Sequence, residues 1–181
     1  ANDILDRTVK SGRYEVKGVH ATTSPSMDIQ VSSNFERLVF LANNRDAGAV
    51  TRAMDNLKQS NSFTLASDAL QAIRDEFDSG ATGEAETAAT MRAILAETGE
   101  VLDPHTAVAV AVAQKNIGKS PMVTLATAHP AKFPDAVEKA IGLRPGLPQR
   151  FEHLMDAQES FTVLPNSVDA VKQHIKARNP L

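Results

Sequence analysis

Met122–Val123–Thr124–Leu125–Ala126–Thr127, followed at once by Ala128–His129–Pro130 and then by Phe133 through Ile141, is the passage that decides the fold class. The first six residues form a short apolar run with β-branched members, the pattern of a buried strand. Ala128–His129–Pro130 turns the chain, and the stretch from Phe133 to Ile141 has helical spacing with Gly142 as its stop. A strand, a turn and a helix in that order make an α/β arrangement. In such folds the loops at the carboxyl ends of strands present ligands.

Working back towards the amino terminus, the pattern is helical almost throughout. Asn2 is a good cap with Asp3 behind it, Ile4, Leu5 and Thr8–Val9 supply a face, and Gly12 stands where a helix would end. Arg13–Tyr14–Glu15–Val16 reads as a short extended piece, and Pro25 biases Ser24 away from helix. Asp28 is placed to cap a short turn. Ser33 and Glu36 have capping-box spacing ahead of Phe35, Leu38, Val39 and Ala42. Asp46 opens the next helix, with Val50, Ala53, Met54 and Leu57 as its stripe. Ser67 starts another, carrying Leu70, Ile73 and Phe77 to an end near Gly80. A further helix runs from Gly83 to Glu97, with Thr87, Met91, Ile94 and Leu95 inward. Asp103–Pro104 is helix-start chemistry, and the Ala/Val run from Thr106 to Gln114 predicts a helix buried on most sides. Phe63–Thr64–Leu65 is too short to assign. Beyond Pro148, helices are expected at Gln149–Ala157 and Ser167–Arg178, flanking a strand at Phe161–Thr162–Val163.

Composition narrows the function classes. Of 181 residues, 42% are hydrophobic and 23% charged, the balance of an ordinary globular domain. A formal net charge of −3 gives no general attraction to phosphate backbones or anionic lipid, so neither nucleic acid nor membrane is an expected partner. No apolar run approaches the ~20 residues that span a bilayer. The absence of cysteine removes disulfides and thiol nucleophiles and suits a reducing compartment; a cytoplasmic location is expected. With 4% aromatic residues and no Trp, the core must be built from aliphatic side chains packed between helices. The sequence opens on a helix cap without initiator Met or signal-peptide pattern, and a piece of a longer chain is expected.

Five histidines form no i, i+4 pair and no H-E-x-x-H, so no metal site is expected. No P-loop, G-x-G-x-x-G or G-x-S-x-G occurs. The acids at Asp75–Glu76 and at Glu84 and Glu86 read as solvated helix surface. Three polar clusters carry two readings each. Thr23–Ser24–Pro25–Ser26–Met27–Asp28 with Ser32–Ser33–Asn34 is either a loop and a capped helix or the lining of a cleft. His105, in the first turn after Leu102–Asp103–Pro104, is either a packed core residue or a site residue. Thr127, ahead of Ala128–His129–Pro130–Ala131–Lys132–Phe133, is either a turn residue or a hydroxyl offered to a ligand at a strand end.

Taken together, these strings resemble a known family. Thr23–Ser24–Pro25–Ser26–Met27–Asp28–Ile29, Ser32–Ser33–Asn34–Phe35–Glu36–Arg37–Leu38, Leu102–Asp103–Pro104–His105–Thr106 and Ala126–Thr127–Ala128–His129–Pro130–Ala131–Lys132–Phe133–Pro134 are similar, in order, to segments of threonine synthases of the longer-chain type. The opening Ala1–Asn2–Asp3–Ile4–Leu5 is similar to a segment midway through that enzyme. The likeness covers most of the chain and is weakest at 46–81 and beyond Pro148.

The resemblance implies a helix-rich α/β C-terminal portion of a fold-type II, tryptophan-synthase-β-like enzyme, with a short sheet segment at Met122–Thr127. Residues 1–181 would all belong to that portion. It implies pyridoxal 5′-phosphate as cofactor and a lyase reaction, O-phospho-L-homoserine and water giving L-threonine and phosphate in threonine biosynthesis. The family's ring-nitrogen contact falls on Thr127. Its Schiff-base lysine and Gly-rich phosphate loop belong to an upstream portion, which would be this chain's partner. No lysine here matches that role, Lys132 included, so no catalytic residue is assigned. The chain alone is expected to be inactive and to bind no cofactor. Two rivals are a helical interaction module and a related enzyme acting on another phosphorylated substrate.

Overall fold

The computed structural model describes residues 2–179 and divides the chain into two units, Ala1–Gly146 and Leu147–Leu181. In the first unit, α1 (Ile4–Ser11) begins at Asp3 and ends at Gly12, whose φ of +77° is left-handed. That backbone suits glycine, and a Cβ there would also lie 2.8 Å from Leu70 Cδ2. The turn delivers the chain into β1 (Arg13–Glu15), which pairs antiparallel with β2 (Ser62–Thr64) so that Tyr14 faces Phe63. These two short strands are the sheet among the described residues.

Between them lie α2 (Phe35–Ala42) and α3 (Ala47–Ser60), and α4 (Ser67–Glu76) follows β2. Their apolar faces enclose one core of Ile4, Tyr14, Phe35, Val39, Leu57, Phe63, Leu65 and Ile73. The Tyr14 ring stacks on Phe63 and Phe35, with centroids 4.9 and 5.8 Å apart. A second cluster, Met91, Ala107 and Val137, joins α5 (Glu84–Thr98), α6 (Pro104–Lys115) and α7 (Pro134–Ile141). Small residues on α6 let its neighbours come close: Ala107 and Ala111 are buried, while the flanks from Val108 to Val110 are only half-buried.

In the second unit, a 3-10 turn spans Gln149–Met155 and α8 (Val168–Arg178) starts at Ser167, whose hydroxyl accepts from the Ala170 N–H.

Several expectations need correction. Met122–Thr127 is not a strand: the segment has no regular structure, and Val123 and Leu125 are 79% and 73% exposed. A strand exists only through hydrogen bonds to a neighbour, and no strand lies beside this run among the described residues. The sheet lies instead at β1 and β2. Phe161–Val163 is irregular for the same reason, with Phe161 and Val163 exposed. The Ser33–Glu36 capping box does not form: the helix starts at Phe35 after Asn34, with no side-chain cap bond. Asp3 rather than Asn2 precedes α1, and Asn2 is used elsewhere. Phe77 lies past the end of α4 and is exposed, because that helix stops at Glu76. The predicted helix at Gln149–Ala157 is the shorter 3-10 turn.

Candidate functional site

The loop from Thr22 to Asp28 is shaped by one carboxylate. Asp28 accepts hydrogen bonds from the Thr22 N–H (2.7 Å), the Thr22 hydroxyl (2.6 Å) and the Asn2 amide (2.7 Å). This closes the loop and pins it to the chain ahead of α1. Within it, Pro25–Met27 makes a single 3-10 turn, and Glu84 at the start of α5 accepts from the Thr23 N–H and hydroxyl. Downstream, the buried Tyr14 hydroxyl donates to the Gln30 carbonyl (3.1 Å) and accepts from the Ser32 N–H (2.8 Å). Burial pushes the Tyr14 phenol above its usual range, and the charge of Glu36 adds to the shift.

His105 draws the conspicuous strings of the sequence together. Asp103 caps α6, its carboxylate accepting from the His105 N–H, from the Thr106 N–H and from the Thr106 hydroxyl. The same carboxylate meets the His105 ring at Nδ1, 2.9 Å away. On the other side of the ring, Nε2 lies 3.1 Å from the Ser26 N–H, which can only donate. The ring is therefore the neutral tautomer with its proton on Nδ1, held between a carboxylate and a peptide N–H. Phe133 packs against it with centroids 4.5 Å apart. His105 is 4% exposed. It is both a packed residue and the link between the Ser26 loop, the cap of α6 and the residue ahead of α7.

His129 sits apart from this centre. Its Nδ1 accepts from the Ala131 N–H and caps the short 3-10 turn Pro130–Lys132. Thr127 is exposed, two residues ahead of that cap, in an irregular segment rather than at the end of a buried strand. Ser33 and Asn34 are exposed, whereas Ser32 lines a cavity.

That cavity, about 320 Å³, lies between the start of α1, the loop around Ser24–Ile29 and the turn at Gly80–Glu84. Its walls include Ile4, Leu5, Met27, Ile29 and Val108. Ser24 and Thr82 are among its lining residues, but their hydroxyl oxygens are themselves buried, with no hydrogen-bond partner among the described residues. Sequence reasoning missed Thr82 altogether, since a lone threonine before a helix-starting glycine carries no chemical signal. Among the described residues no group of His, Cys, Asp and Glu is placed to hold a metal ion, and no helix is long and apolar enough to cross a membrane.

Residues 106–175 match the family model described as "Threonine synthase, C-terminal". A curated threonine synthase from Pseudomonas aeruginosa is 43% identical over 99% of the chain and 40% of its own length. One from Corynebacterium glutamicum is 40% identical over 96% of the chain and 38% of its own length. A crystal structure of threonine synthase from Brucella melitensis with bound pyridoxal phosphate is 53% identical, with a TM-score of 0.85 over 99% of the chain and 39% of that protein. The yeast enzyme gives 0.76 at 34% identity, over 97% of the chain and 40% of that protein. The chain thus spans about two-fifths of the length of these relatives.

Proposed function

Since the chain corresponds in sequence and fold to the C-terminal portion of threonine synthases, pyridoxal-phosphate enzymes of fold type II, we propose that it supplies one wall of such an enzyme's site. The rest of the same enzyme is its partner, and the whole converts O-phospho-L-homoserine and water into L-threonine and phosphate. In that conversion phosphate leaves the γ-carbon and water adds at the β-carbon. The observation that carries the proposal is the meeting of the three motif strings at His105, where Ser26, Asp103 and Phe133 all contact one ring.

Pyridoxal phosphate, when bound, supplies the electron sink for carbanions that the protein's own side chains lack. Thr127 suits the ring nitrogen in chemistry, being exposed and neutral. A hydroxyl can donate to that nitrogen or accept from it, yet has no charge with which to keep a proton there, unlike a carboxylate. His105 and Asp103 act through position: they hold the Ser24–Asp28 loop in place as part of the wall. The proposal assigns the covalent cofactor lysine to the portion outside this chain, so the isolated chain neither links the cofactor nor turns over substrate.

Assay of the full-length protein with O-phospho-L-homoserine is expected to yield threonine and phosphate in equal amounts. Thr127→Asp is expected to shift the cofactor's absorbance and to lower the share of threonine among the products. A Thr127→Asp enzyme with unchanged spectrum and products would remove Thr127 from the site. Trapping the cofactor on a lysine of the isolated chain with borohydride would refute its dependence on the rest.

A second reading has its own support. Human "Threonine synthase-like 1" is 32% identical over 79% of the chain. A protein that releases phosphate from another phosphorylated substrate but forms no threonine would favour that reading.

A further inference from the structure

We propose that His105 is a proton-operated latch on the Ser24–Asp28 loop: a proton on its Nε2 and the hydrogen bond from the Ser26 N–H exclude each other. The Ser26 N–H can only donate, so it is held only while Nε2 keeps a free lone pair. Protonation sets two N–H groups face to face across 3.1 Å. The bond is lost and the two donors repel. Nδ1 donates to Asp103 in either state, so the ring stays in place while the loop lets go.

The floor beneath the ring favours the charged form once the loop is open. Asp103 is 1% exposed, and the other groups that reach its carboxylate are neutral: the N–H groups of His105 and Thr106 and the Thr106 hydroxyl. Such a buried negative charge lacks a counter-ion, and an imidazolium with Nδ1 2.9 Å away supplies one. Charged groups on the neighbouring elements have other partners. Asp28 on the loop accepts from Thr22 and Asn2, and Glu84 on α5 accepts from Thr23. Next to Phe133, Lys132 is exposed and Asp135 pairs with Arg144. His129 caps its own turn, and His20 meets Asn2 through its backbone.

On the loop side little opposes release. Ser26 is exposed, so its N–H passes to water. The N–H groups of Met27 and Asp28 bond within the turn, to the Ser24 and Pro25 carbonyls. Both ends of the loop stay pinned, by Asp28 and by Glu84, and the movement is confined to the tip at Pro25–Met27. Ser26 and Met27 line the 320 Å³ cavity, so the latch sets the shape of one of its walls. By linkage, whatever holds the tip closed expels the proton, and proton uptake opens the tip. Any bearing on catalysis rests on the function proposed above. The latch itself does not, and its test reads the loop rather than turnover.

The test is hydrogen–deuterium exchange of the full-length protein, resolved to single amides by mass spectrometry. It runs from about pH 8 to about pH 5.5, where imidazole is the side chain that ordinarily titrates. After correction for the intrinsic pH dependence of exchange, protection at Ser26 is expected to fall at least about tenfold along a one-proton curve. The amides of α6 should hold. His105→Gln places an amide oxygen near the Nε2 position without titrating; it should keep Ser26 protected and abolish the step. His105→Asn keeps a donor for Asp103 and offers nothing to Ser26, so its tip should exchange freely at every pH. A clean step in a protein that forms no threonine supports the latch and counts against the enzyme reading. A flat profile in the unsubstituted protein, a step that survives in His105→Gln, or loss of α6 protection together with the tip would overturn the latch.

Discussion

Tyr14 ties two parts of the chain through one oxygen, and its replacement measures that tie. Tyr14→Phe keeps the stacked ring but strips the Ser32 N–H and the Gln30 carbonyl of their common partner. A loss of about 1–3 kcal/mol in urea unfolding is expected. The raised phenol gives a second signature. Since the folded protein favours the neutral form, this contribution is intact below pH 10 and is lost as pH climbs beyond it. Tyr14→Phe should lack that alkaline slope. Asp3 behaves in the opposite sense: the hydrogen bond from Arg7 holds its carboxyl below the usual value of 3.8. Its contribution is present above that value and fades as pH falls. At His105, Phe would leave the Ser26 N–H without its acceptor and take the ring donor from Asp103 Oδ1, which keeps only the backbone N–H of residue 105. His105→Phe should therefore cost more than the small polar-to-apolar change on an exposed surface, about 1–3 kcal/mol by thermal unfolding.

At the scale of elements, the packing of α6 against the turn at Gly80 is tight enough to predict. A Cβ on Gly80 would lie 2.8 and 3.0 Å from the two Val112 methyl groups. Gly80→Ala should cost about 1–3 kcal/mol, checked by urea unfolding. Elements of this kind were legible in the sequence where their cause is local. Asp46 and Asp103 accept from N–H groups two or three residues on, and Gly12, Gly99 and Gly142 take the left-handed turn their helices end in. Each can be read from a window of a few residues. Strands cannot, because pairing Tyr14 with Phe63 depends on chain far away in sequence. Phe63–Thr64 therefore looked too short to place, while the more strand-like Met122–Thr127 is irregular. The same limit hid the candidate site's key contact: Ser26 and His105 are 79 residues apart. Both strings were conspicuous, yet nothing local told that one ring would join them.

Over the whole molecule, apolar exposure is uneven. The core residues of the first unit are nearly inaccessible, whereas Met122, Val123 and Leu125 stand open, as do Phe161 and Val163 in the second unit. A side chain that touches little contributes little to folding. Val123→Lys and Leu125→Lys should leave the unfolding free energy of this chain within about 0.5 kcal/mol of the original, measured in urea. A larger loss would mean that this segment packs on the fold after all.

The clamp on His105 has a spectroscopic consequence. An imidazole proton fixed between nitrogen and carboxylate, and shielded from solvent, exchanges slowly with bulk water. It should give a sharp downfield line in the proton NMR spectrum, far from the crowded amide region. Because the opposite nitrogen of that ring receives the Ser26 amide, the line is a resident reporter for the 22–28 loop. It would shift whenever a ligand, a partner or a substitution moves that loop, with no label introduced.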